Sequence, residues 1–195
     1  MKTDSEIYIH SSPGLRSLCQ RFQDMTTLDL LELGPARGCN IEFWSRFSNS
    51  IFVADLRASL PLPPLEEELE YPESEWHRIL DLPAGRYFDI ILAWDLMNYI
   101  EAAALPGFIN HLNRYCKQGT ILFTMLIDQP QMPEDSCVFR IIDEENLGYE
   151  TSGSSLRSCP RLQPRVLENT MQGFRTSDRY RLRHGIIEYL FYYIR

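Results

Sequence analysis

Apolar residues follow two alternating patterns along this chain, and the alternation predicts a parallel sheet flanked by helices. Short apolar runs of strand length lie at 28–33, 51–54, 88–95 and 121–126. Between them, stretches such as 40–47 and 101–116 carry their apolar residues on one helical face. Strands that alternate with helices at this spacing form doubly wound sheets with parallel neighbours. We therefore predict an α/β fold with helices on both faces of the sheet.

The last thirty residues depart from this alternation. A helix is expected to begin near Pro164 and to end at Gly173, and two further strands should follow, at 174–182 and 186–194. A link as short as Arg183-His184-Gly185 requires the two strands to pair antiparallel. Together with a short strand predicted at 76–80, the sheet should have seven strands, mostly parallel, with an antiparallel hairpin at its C-terminal end.

The 195 residues are expected to form a single domain with four parts. Residues 1–27 should be a helical N-terminal segment, in which Ser12 is the predicted N-cap and Pro13 the first helical residue. Residues 28–127 should form the βα core, and 166–195 the closing helix and hairpin. Residues 128–165, rich in proline and glycine, are predicted to be irregular and to cover one end of the sheet.

Composition excludes several classes of function. A net charge of −8 disfavours binding to nucleic acid, which needs a basic face. The acidic start of the chain does not resemble a signal peptide, and no apolar run reaches the roughly 18 residues of a membrane span. Five scattered cysteines, without a C-x-x-C pair, favour reduced thiols in the cytoplasm over a disulfide framework or a zinc site.

A glycine turn follows the first predicted strand and is the most informative feature of the sequence. The strand ends in the carboxylate Glu32, the turn begins at Gly34, and a second carboxylate, Asp55, ends the next strand. This is the layout of a nucleotide-binding βαβ unit, in which the second acid binds ribose hydroxyls. The dinucleotide pattern requires glycines at positions one, three and six, counted from Gly34. Here these positions hold Gly34, Ala36 and Cys39, so the match to the dinucleotide pattern is poor.

The turn instead resembles the first motif of the class I S-adenosylmethionine-dependent methyltransferases, an acid followed by G-x-G-x-G. Here it reads Glu32-Leu33-Gly34-Pro35-Ala36-Arg37-Gly38, with alanine at the usual middle glycine. Later landmarks of that family fall in order at Asp55, Asp81, 88–95 and Gly119, so the resemblance covers about residues 28–195. It implies a methyltransferase fold and S-adenosyl-L-methionine as cofactor.

The resemblance also implies a set of cofactor contacts. Glu32, Gly34, Ala36 and Gly38 would surround the methionine part, Asp55 would hold the ribose, Leu56 and Leu82 would pack near the adenine, Asp81 would accept from the adenine amino group, and Trp94 would border the place where cofactor and acceptor meet. Two alternatives stay open, because Asp81 could merely cap a turn and Trp94 could be a core residue.

The predicted acceptor is a small molecule, methylated on oxygen or nitrogen. The N-P-P-Y sequence of many amide and base methylases is absent after strand four, and no set of carboxylates is spaced like a magnesium site. Asp95 and His184 are the candidate catalytic bases. Asn98, Tyr99 and Arg161 are the predicted acceptor contacts.

The charge of the acceptor and the activity itself have alternatives. The four arginines in 128–165, at positions 140, 157, 161 and 165, favour an anionic acceptor, unless they are solvated or pair with nearby acids such as Asp143. A catalytically degenerate methyltransferase fold that serves as a binding or scaffold protein remains open. An NAD-type oxidoreductase is less compatible with the glycine spacing and the terminal hairpin.

Overall fold

The computed structural model describes residues 7–25, 27–60, 73–151, 153–160 and 162–195. In chain order these contain β1 (Tyr8–Ser11), α1 (Pro13–Phe22), β2 (Leu28–Glu32), α2 (Gly38–Ser45), β3 (Ser48–Val53), α3 (Glu73–Ile79), β4 (Phe88–Trp94), α4 (Leu105–Asn113), β5 (Cys116–Ile127), β6 (Gln131–Pro133), β7 (Val138–Ile141), β8 (Asn146–Glu150), β9 (Leu156–Ser158), α5 (Pro164–Thr170), β10 (Phe174–Arg181) and β11 (Ile186–Tyr193). Short 3₁₀ helices, Leu56–Ser59 and Leu96–Tyr99, follow β3 and β4.

The main sheet has six strands in the order β10-β11-β5-β4-β2-β3. Strands β2 to β5 pair in parallel, and β11 runs antiparallel to both β5 and β10, as the short link at 183–185 predicts. The parallel core and the terminal hairpin are therefore confirmed. The central strands are buried on both faces, which explains their continuous apolar runs.

The seventh strand, expected at 76–80, is wrong because these residues belong to helix α3 and its end. Trp76 and Leu80 are four residues apart, so a helix places both on the same side, and both are almost completely buried. The Trp76 ring packs against Phe108 of α4 with a centroid distance of 5.2 Å. His77 and Arg78 between them would have interrupted the alternation of a half-buried strand.

The core lies in two layers, one on each face of the sheet. Ile91 and Ala93 of β4 belong to the layer beneath α3, α4 and α5, whereas Ile90 and Leu92 belong to the layer beneath α1 and α2. His111, within α4, is fully buried and its Nε2 lies 2.9 Å from the carbonyl oxygen of Leu80. Among the described residues, no helix has the length and apolar character needed to cross a bilayer.

The prediction that 128–165 is irregular is also wrong, because this region contains four short strands. Strands β7 and β8 form a sheet with β1 in the order β1-β8-β7, and β6 pairs antiparallel with β9. Strand β1 precedes α1, so β8 finds its partner far away in sequence. Local patterns do not report a pairing of this kind.

A buried carboxylate fixes the first helix to the last strand. Glu188 of β11 is fully buried and accepts hydrogen bonds from the Ser12 hydroxyl (2.6 Å) and the Gly14 amide (2.7 Å). Ser12 caps α1 as predicted, by accepting from the Leu15 amide. Burial raises the pKa of Glu188. A Cβ on Gly14 would lie 2.8 Å from Phe123, so the helix can approach the sheet this closely only with glycine.

We expect Glu188→Ala to destabilise the fold by about 2–3 kcal/mol, because it leaves a hydroxyl and an amide buried without an acceptor. Urea denaturation gives the free energy of unfolding. Glu168→Ala, on the exposed side of α5, is the control and should change it by less than about 0.5 kcal/mol. Equal effects of the two variants would show that the hydrogen bonds from Ser12 and Gly14 to Glu188 add nothing specific to the free energy of unfolding.

Candidate active site

The glycine turn after β2 is built around the buried carboxylate of Glu32. Its Oε1 accepts hydrogen bonds from the Gly34 amide, at 2.8 Å, and from the indole Nε1 of Trp94. A Cβ on Gly34 would lie 2.9 Å from both Glu32 Oε1 and Trp94 Cδ1. The first glycine of the motif is therefore required by the close approach of these two side chains.

Glu32 is electrostatically unusual. Burial raises its pKa to about 8, against the opposing effect of Trp94, Gly34 and the nearby side chain of Asn40, which favour the ionised form. Its second oxygen, Oε2, is buried without a hydrogen-bond partner among the described residues. Buried polar atoms are normally paired, so an unpaired carboxylate oxygen at a glycine turn marks a place that a donor group would stabilise.

Trp94 covers this carboxylate from a strained backbone position. Its φ is +47°, in the left-handed region that residues other than glycine rarely adopt, and its indole stacks on Phe139 at 5.2 Å and 7°. The Thr124 hydroxyl donates to its carbonyl oxygen at 2.8 Å. Strain of this kind concentrates at functional sites. The structure shows that Trp94 is a buried core residue that also contacts Glu32, and its place beside a cofactor stays a prediction.

Residues 133–139, which we name the cover segment, lie over the carboxyl ends of β4 and β5. The Tyr99 hydroxyl donates to the carbonyl oxygens of Pro133 (3.2 Å) and Asp135 (2.9 Å). The Asp95 carboxylate accepts from the Ser136 hydroxyl (2.6 Å) and the Cys137 amide (3.0 Å). Asp95 precedes the short 3₁₀ helix Leu96–Tyr99 and Tyr99 ends it. Four hydrogen bonds from the two ends of this helix thus fix the position of the cover segment.

Two pockets lie on either side of the cover segment. The polar pocket, of about 220 Å³, is lined by Asp55, Arg57, Ala58, Leu60, Tyr99, Glu134, Asp135 and Ser136. The apolar pocket, of about 180 Å³, is lined by Asp95, Met125, Ile127, Gln129, Gln131, Pro133, Cys137, Phe139, Tyr149, His184 and Ile186. Residues 134–136 face the first pocket and residues 133, 137 and 139 the second, so the segment forms the wall between them.

The two candidate bases, distant in sequence, line the same apolar pocket. Asp95 is 2% exposed, and burial raises its pKa to about 6 against the opposing effect of the bonds from Ser136 and Cys137. His184 is exposed at the β10–β11 turn, and its ring lies 5.2 Å from that of His10. Burial and the nearby His184 lower the pKa of His10 to about 4.

Asp55 lines the polar pocket at the end of β3. Its Oδ1 accepts from the backbone amide of Arg57 at 3.2 Å and lies 3.3 Å from Nε of the same side chain. The carboxylate therefore caps the short helix Leu56–Ser59 and faces solvent in the pocket. This position suits a ligand that carries hydroxyl donors.

The other predicted cofactor contacts are more scattered. Leu56 and Leu82 are buried in the core, and Asp81 is exposed; none of the three lines either pocket. Ala36 and Gly38 are exposed on the glycine turn, and a Cβ on Gly38 would meet nothing within 4 Å. Of the predicted cofactor contacts at the glycine turn, Glu32 and Gly34 are thus tightly constrained by the fold, whereas Ala36 and Gly38 are not.

Of the three predicted acceptor contacts, one lines a pocket, one does not, and one lies outside the described residues. Tyr99 lines the polar pocket and holds the cover segment. Asn98 binds the carbonyl oxygens of Asp95 (2.6 Å) and Met125 (2.9 Å) and accepts from the Ile127 amide (2.9 Å), so its side chain joins β4 to β5 and faces neither pocket. Arg161 lies outside the described residues.

The remaining arginines of 128–165 do not line either pocket. Arg140 forms a 2.5 Å ion pair with Glu150, within the small sheet. The residues that sequence analysis missed are those of the cover segment, above all Ser136, Cys137 and Phe139. No sequence signal could have found them, because their roles depend on contacts with Asp95 and Trp94 across the fold.

Comparison with solved structures identifies the architecture. A S-adenosylmethionine-dependent methyltransferase from Clostridium acetobutylicum ATCC 824 aligns with 93% of this chain and 90% of its own, at 14% identity and a TM-score of 0.53. The 1,6-didemethyltoxoflavin-N1-methyltransferase of Burkholderia thailandensis was solved with S-adenosylhomocysteine. It aligns with 94% of this chain and 78% of its own, at 11% identity and a TM-score of 0.53. The N-methyltransferase NodS of Bradyrhizobium japonicum WM9 aligns with 92% of this chain and 94% of its own, at 11% identity and a TM-score of 0.51.

The chain has the class I methyltransferase fold. No protein-family model and no curated protein matches the sequence, so the subfamily is unresolved. In open α/β sheets, ligands bind beyond the carboxyl ends of the parallel strands. Glu32, Asp55 and Asp95 all stand there, at the ends of β2, β3 and β4.

We expect Tyr99→Phe to loosen the cover segment, because two carbonyl oxygens lose their hydroxyl donor. A loss of about 1–1.5 kcal/mol in local stability corresponds to amide hydrogen exchange roughly tenfold faster at Cys137. Tyr87→Phe, at an exposed tyrosine, is the matched control and should leave this exchange rate unchanged. Unaltered exchange at Cys137 in Tyr99→Phe would mean that Tyr99 does not hold the segment and that Asp95, Asn40 and the pairing of β7 with β8 suffice.

Proposed function

We propose that this protein is a S-adenosylmethionine-dependent methyltransferase that acts on a small molecule, by transfer to oxygen or nitrogen. The observation that carries the proposal is the buried, unpaired Oε2 of Glu32 at the glycine turn, with Asp55 at the end of the next strand. The fold shared with methyltransferases supports it.

The residues fit this cofactor. The unpaired oxygen of Glu32 would accept a hydrogen bond from the ammonium group of the methionine part, and Gly34, Ala36 and Gly38 would line it. Asp55 would accept from the ribose hydroxyls in the polar pocket. Leu56, Asp81 and Leu82 remain the proposed surroundings of the adenine, with the two leucines contributing mainly through their backbone, since their side chains pack in the core.

The cover segment has to move for one ligand to reach both carboxylates. The polar pocket includes Asp55 but neither Glu32 nor Gly34, which contact the side chain of Trp94, on which Phe139 stacks. We therefore propose that the described structure is a closed form. Opening would lift Phe139 off Trp94 and join the two pockets, and closing would shield the reaction from water.

The chain's own residues would then orient the acceptor and take its proton. Bound S-adenosylmethionine supplies a methyl group already activated on a sulfonium, so alignment of the reacting atoms provides much of the acceleration. Asp95 would position the cover segment between the pockets, since both of its oxygens already accept hydrogen bonds from that segment. His184 would accept the proton from the acceptor hydroxyl or amine in the apolar pocket.

A binding or scaffold protein without methyl transfer is the second candidate. One observation favours it, namely that Trp94 fills the space against Gly34 and donates to Glu32, as a side chain that replaced a lost ligand would. An NAD-type oxidoreductase is less compatible with the antiparallel C-terminal hairpin. Titration with the sulfur nucleosides separates these candidates.

We expect S-adenosylhomocysteine to bind with a dissociation constant in the micromolar range and NAD not to bind. The affinity should rise with pH between 5.5 and 7.5. Glu32 has a pKa of about 8 in the free protein and so is largely protonated in this range. An ammonium group beside it favours the ionised form, so binding releases a proton and the dissociation constant falls by up to about tenfold per pH unit. Isothermal titration calorimetry measures both quantities.

Glu32→Gln is the control for this pH dependence, since the amide does not titrate and keeps an oxygen for Trp94 and Gly34. Its affinity should be weaker and independent of pH in the same range. Heat on addition of NAD, with none from either sulfur nucleoside, would contradict the proposed function. A pH dependence retained in Glu32→Gln would show that another group releases the proton.

We further expect Asp55→Ala to weaken the binding of S-adenosylhomocysteine by about 1.5–3 kcal/mol, through the loss of hydrogen bonds to a charged acceptor. The fold should remain, because Asp55 is an exposed residue at a strand end. Asp24→Ala, at an exposed aspartate after α1, should leave the affinity unchanged. Unchanged affinity in a folded Asp55→Ala variant would assign the ribose to another residue.

A further inference from the structure

The apolar pocket indicates which acceptor this site takes. We infer that the acceptor is a neutral, single-ring aromatic molecule with one hydroxyl or amine to be methylated, held between the cover segment and the β10–β11 turn. The inference rests on the proposed function for its chemistry, but the binding pocket itself is a property of the described structure.

The size of the pocket suits one ring. Its volume is about 180 Å³. An apolar protein cavity of about 150 Å³ holds benzene, so this pocket accommodates a six-membered ring with one small substituent. It is well below the roughly 300–1,000 Å³ of pockets that take drug-sized ligands, so a large acceptor would have to leave most of its surface outside.

The walls are apolar on two sides and aromatic on a third. Met125 and Ile127 of β5 line the pocket together with Ile186, which pairs with Ile127 across the β11–β5 ladder. Phe139 and Tyr149 present their rings from the small sheet, with centroids 6.3 Å apart. Offset and edge-to-face contacts with such rings favour a flat aromatic ligand over a flexible chain of the same volume.

The charges at the pocket oppose an anionic acceptor. Among the described residues, its walls contain no lysine or arginine, and its one carboxylate is Asp95. A carboxylate or phosphate on the acceptor would lose its hydration next to another carboxylate, without a cation to compensate. The earlier expectation of an anionic acceptor, drawn from the arginines of 128–165, therefore has no support in this pocket.

Polar groups stand where a single hydroxyl or amine needs them. His184 and the amides of Gln129 and Gln131 line the pocket beside its apolar walls. Gln129 packs against the turn, since a Cβ on Gly185 would clash with its side chain. These groups, together with the side chain of Tyr149, can accept from or donate to a polar substituent, whereas Met125, Ile127 and Ile186 can contact only the apolar part of a ligand. An aromatic ring with a reactive hydroxyl or amine matches this combination.

The test compares two ligands that differ in one charge. At pH 7, 4-ethylphenol is neutral and 4-hydroxybenzoate is an anion of nearly the same size. Binding of each to the full chain, without any cofactor, is measured by calorimetry and by saturation-transfer NMR. We expect 4-ethylphenol to bind at least tenfold more tightly than 4-hydroxybenzoate.

Two tryptophan variants locate the binding. Ile127→Trp fills the pocket and should abolish binding of 4-ethylphenol, whereas Ile142→Trp, at an isoleucine that is 49% exposed and outside the pocket, should leave it unchanged. Circular dichroism checks that both variants fold, and Ile186→Trp replaces Ile127→Trp if the latter does not. Equal or tighter binding of 4-hydroxybenzoate, or binding of 4-ethylphenol that survives the filled pocket, would overturn the inference.

A parallel titration with S-adenosylhomocysteine keeps the two proposals apart. Its affinity should be the same in the wild type and in Ile127→Trp, because Ile127 does not line the polar pocket. If 4-ethylphenol binds as expected and the nucleoside does not bind at all, the pocket is a small-molecule site and the methyltransferase assignment fails. If the nucleoside binds and 4-ethylphenol does not, the assignment stands and the acceptor class is wrong.

Discussion

A carboxylate removed from water must be surrounded by donors, and this constraint organises the fold at three places. Glu188 draws the N-terminus of α1 onto β11. Asp95 draws the cover segment onto the end of β4. Glu32 draws the indole of Trp94 over the glycine turn but keeps one oxygen unpaired. The first two are satisfied and fix structure, whereas the third is incomplete, and this is the observation on which the proposed cofactor site rests.

The state of Glu32 connects the closed structure to the proposed activity. With a pKa near 8 it is largely neutral at physiological pH, which suits burial beneath Trp94 and Phe139. A cationic ligand would favour the ionised form and compete with this arrangement. The left-handed backbone of Trp94, with φ of +47°, places backbone strain at the same point. Opening of the cover segment and ionisation of Glu32 are thus expected to occur together.

Local pattern was sufficient for the parts of the chain where burial and sequence periodicity coincide. The runs of β2, β4 and β5 were readable as strands because both faces are buried, and the link at 183–185 allowed only an antiparallel hairpin. The helix at 73–79 differs from the predicted strand because its short segment has few apolar residues, Trp76, Ile79 and the following Leu80, and a spacing of four between Trp76 and Leu80 fits either element. The strands at 131–158 are not predicted by the sequence pattern because β6, β7 and β9 have only three or four residues each and β8 pairs with β1, far away in sequence.

The sequence by itself determined the class of fold, the glycine turn and the position of its acids, because strand ends and close backbone approaches are set by neighbouring residues. Tertiary structure alone decided what those acids do. It brought Asp95 and His184 into one pocket. It also used the side chain of Asn98 for hydrogen bonds to the backbone of Asp95 and Ile127, at the ends of two neighbouring strands. It also stacked Phe139 on the indole of Trp94 that donates to Glu32. These outcomes depend on contacts between segments separated by tens of residues, and on the desolvation that only a folded interior imposes on a carboxylate.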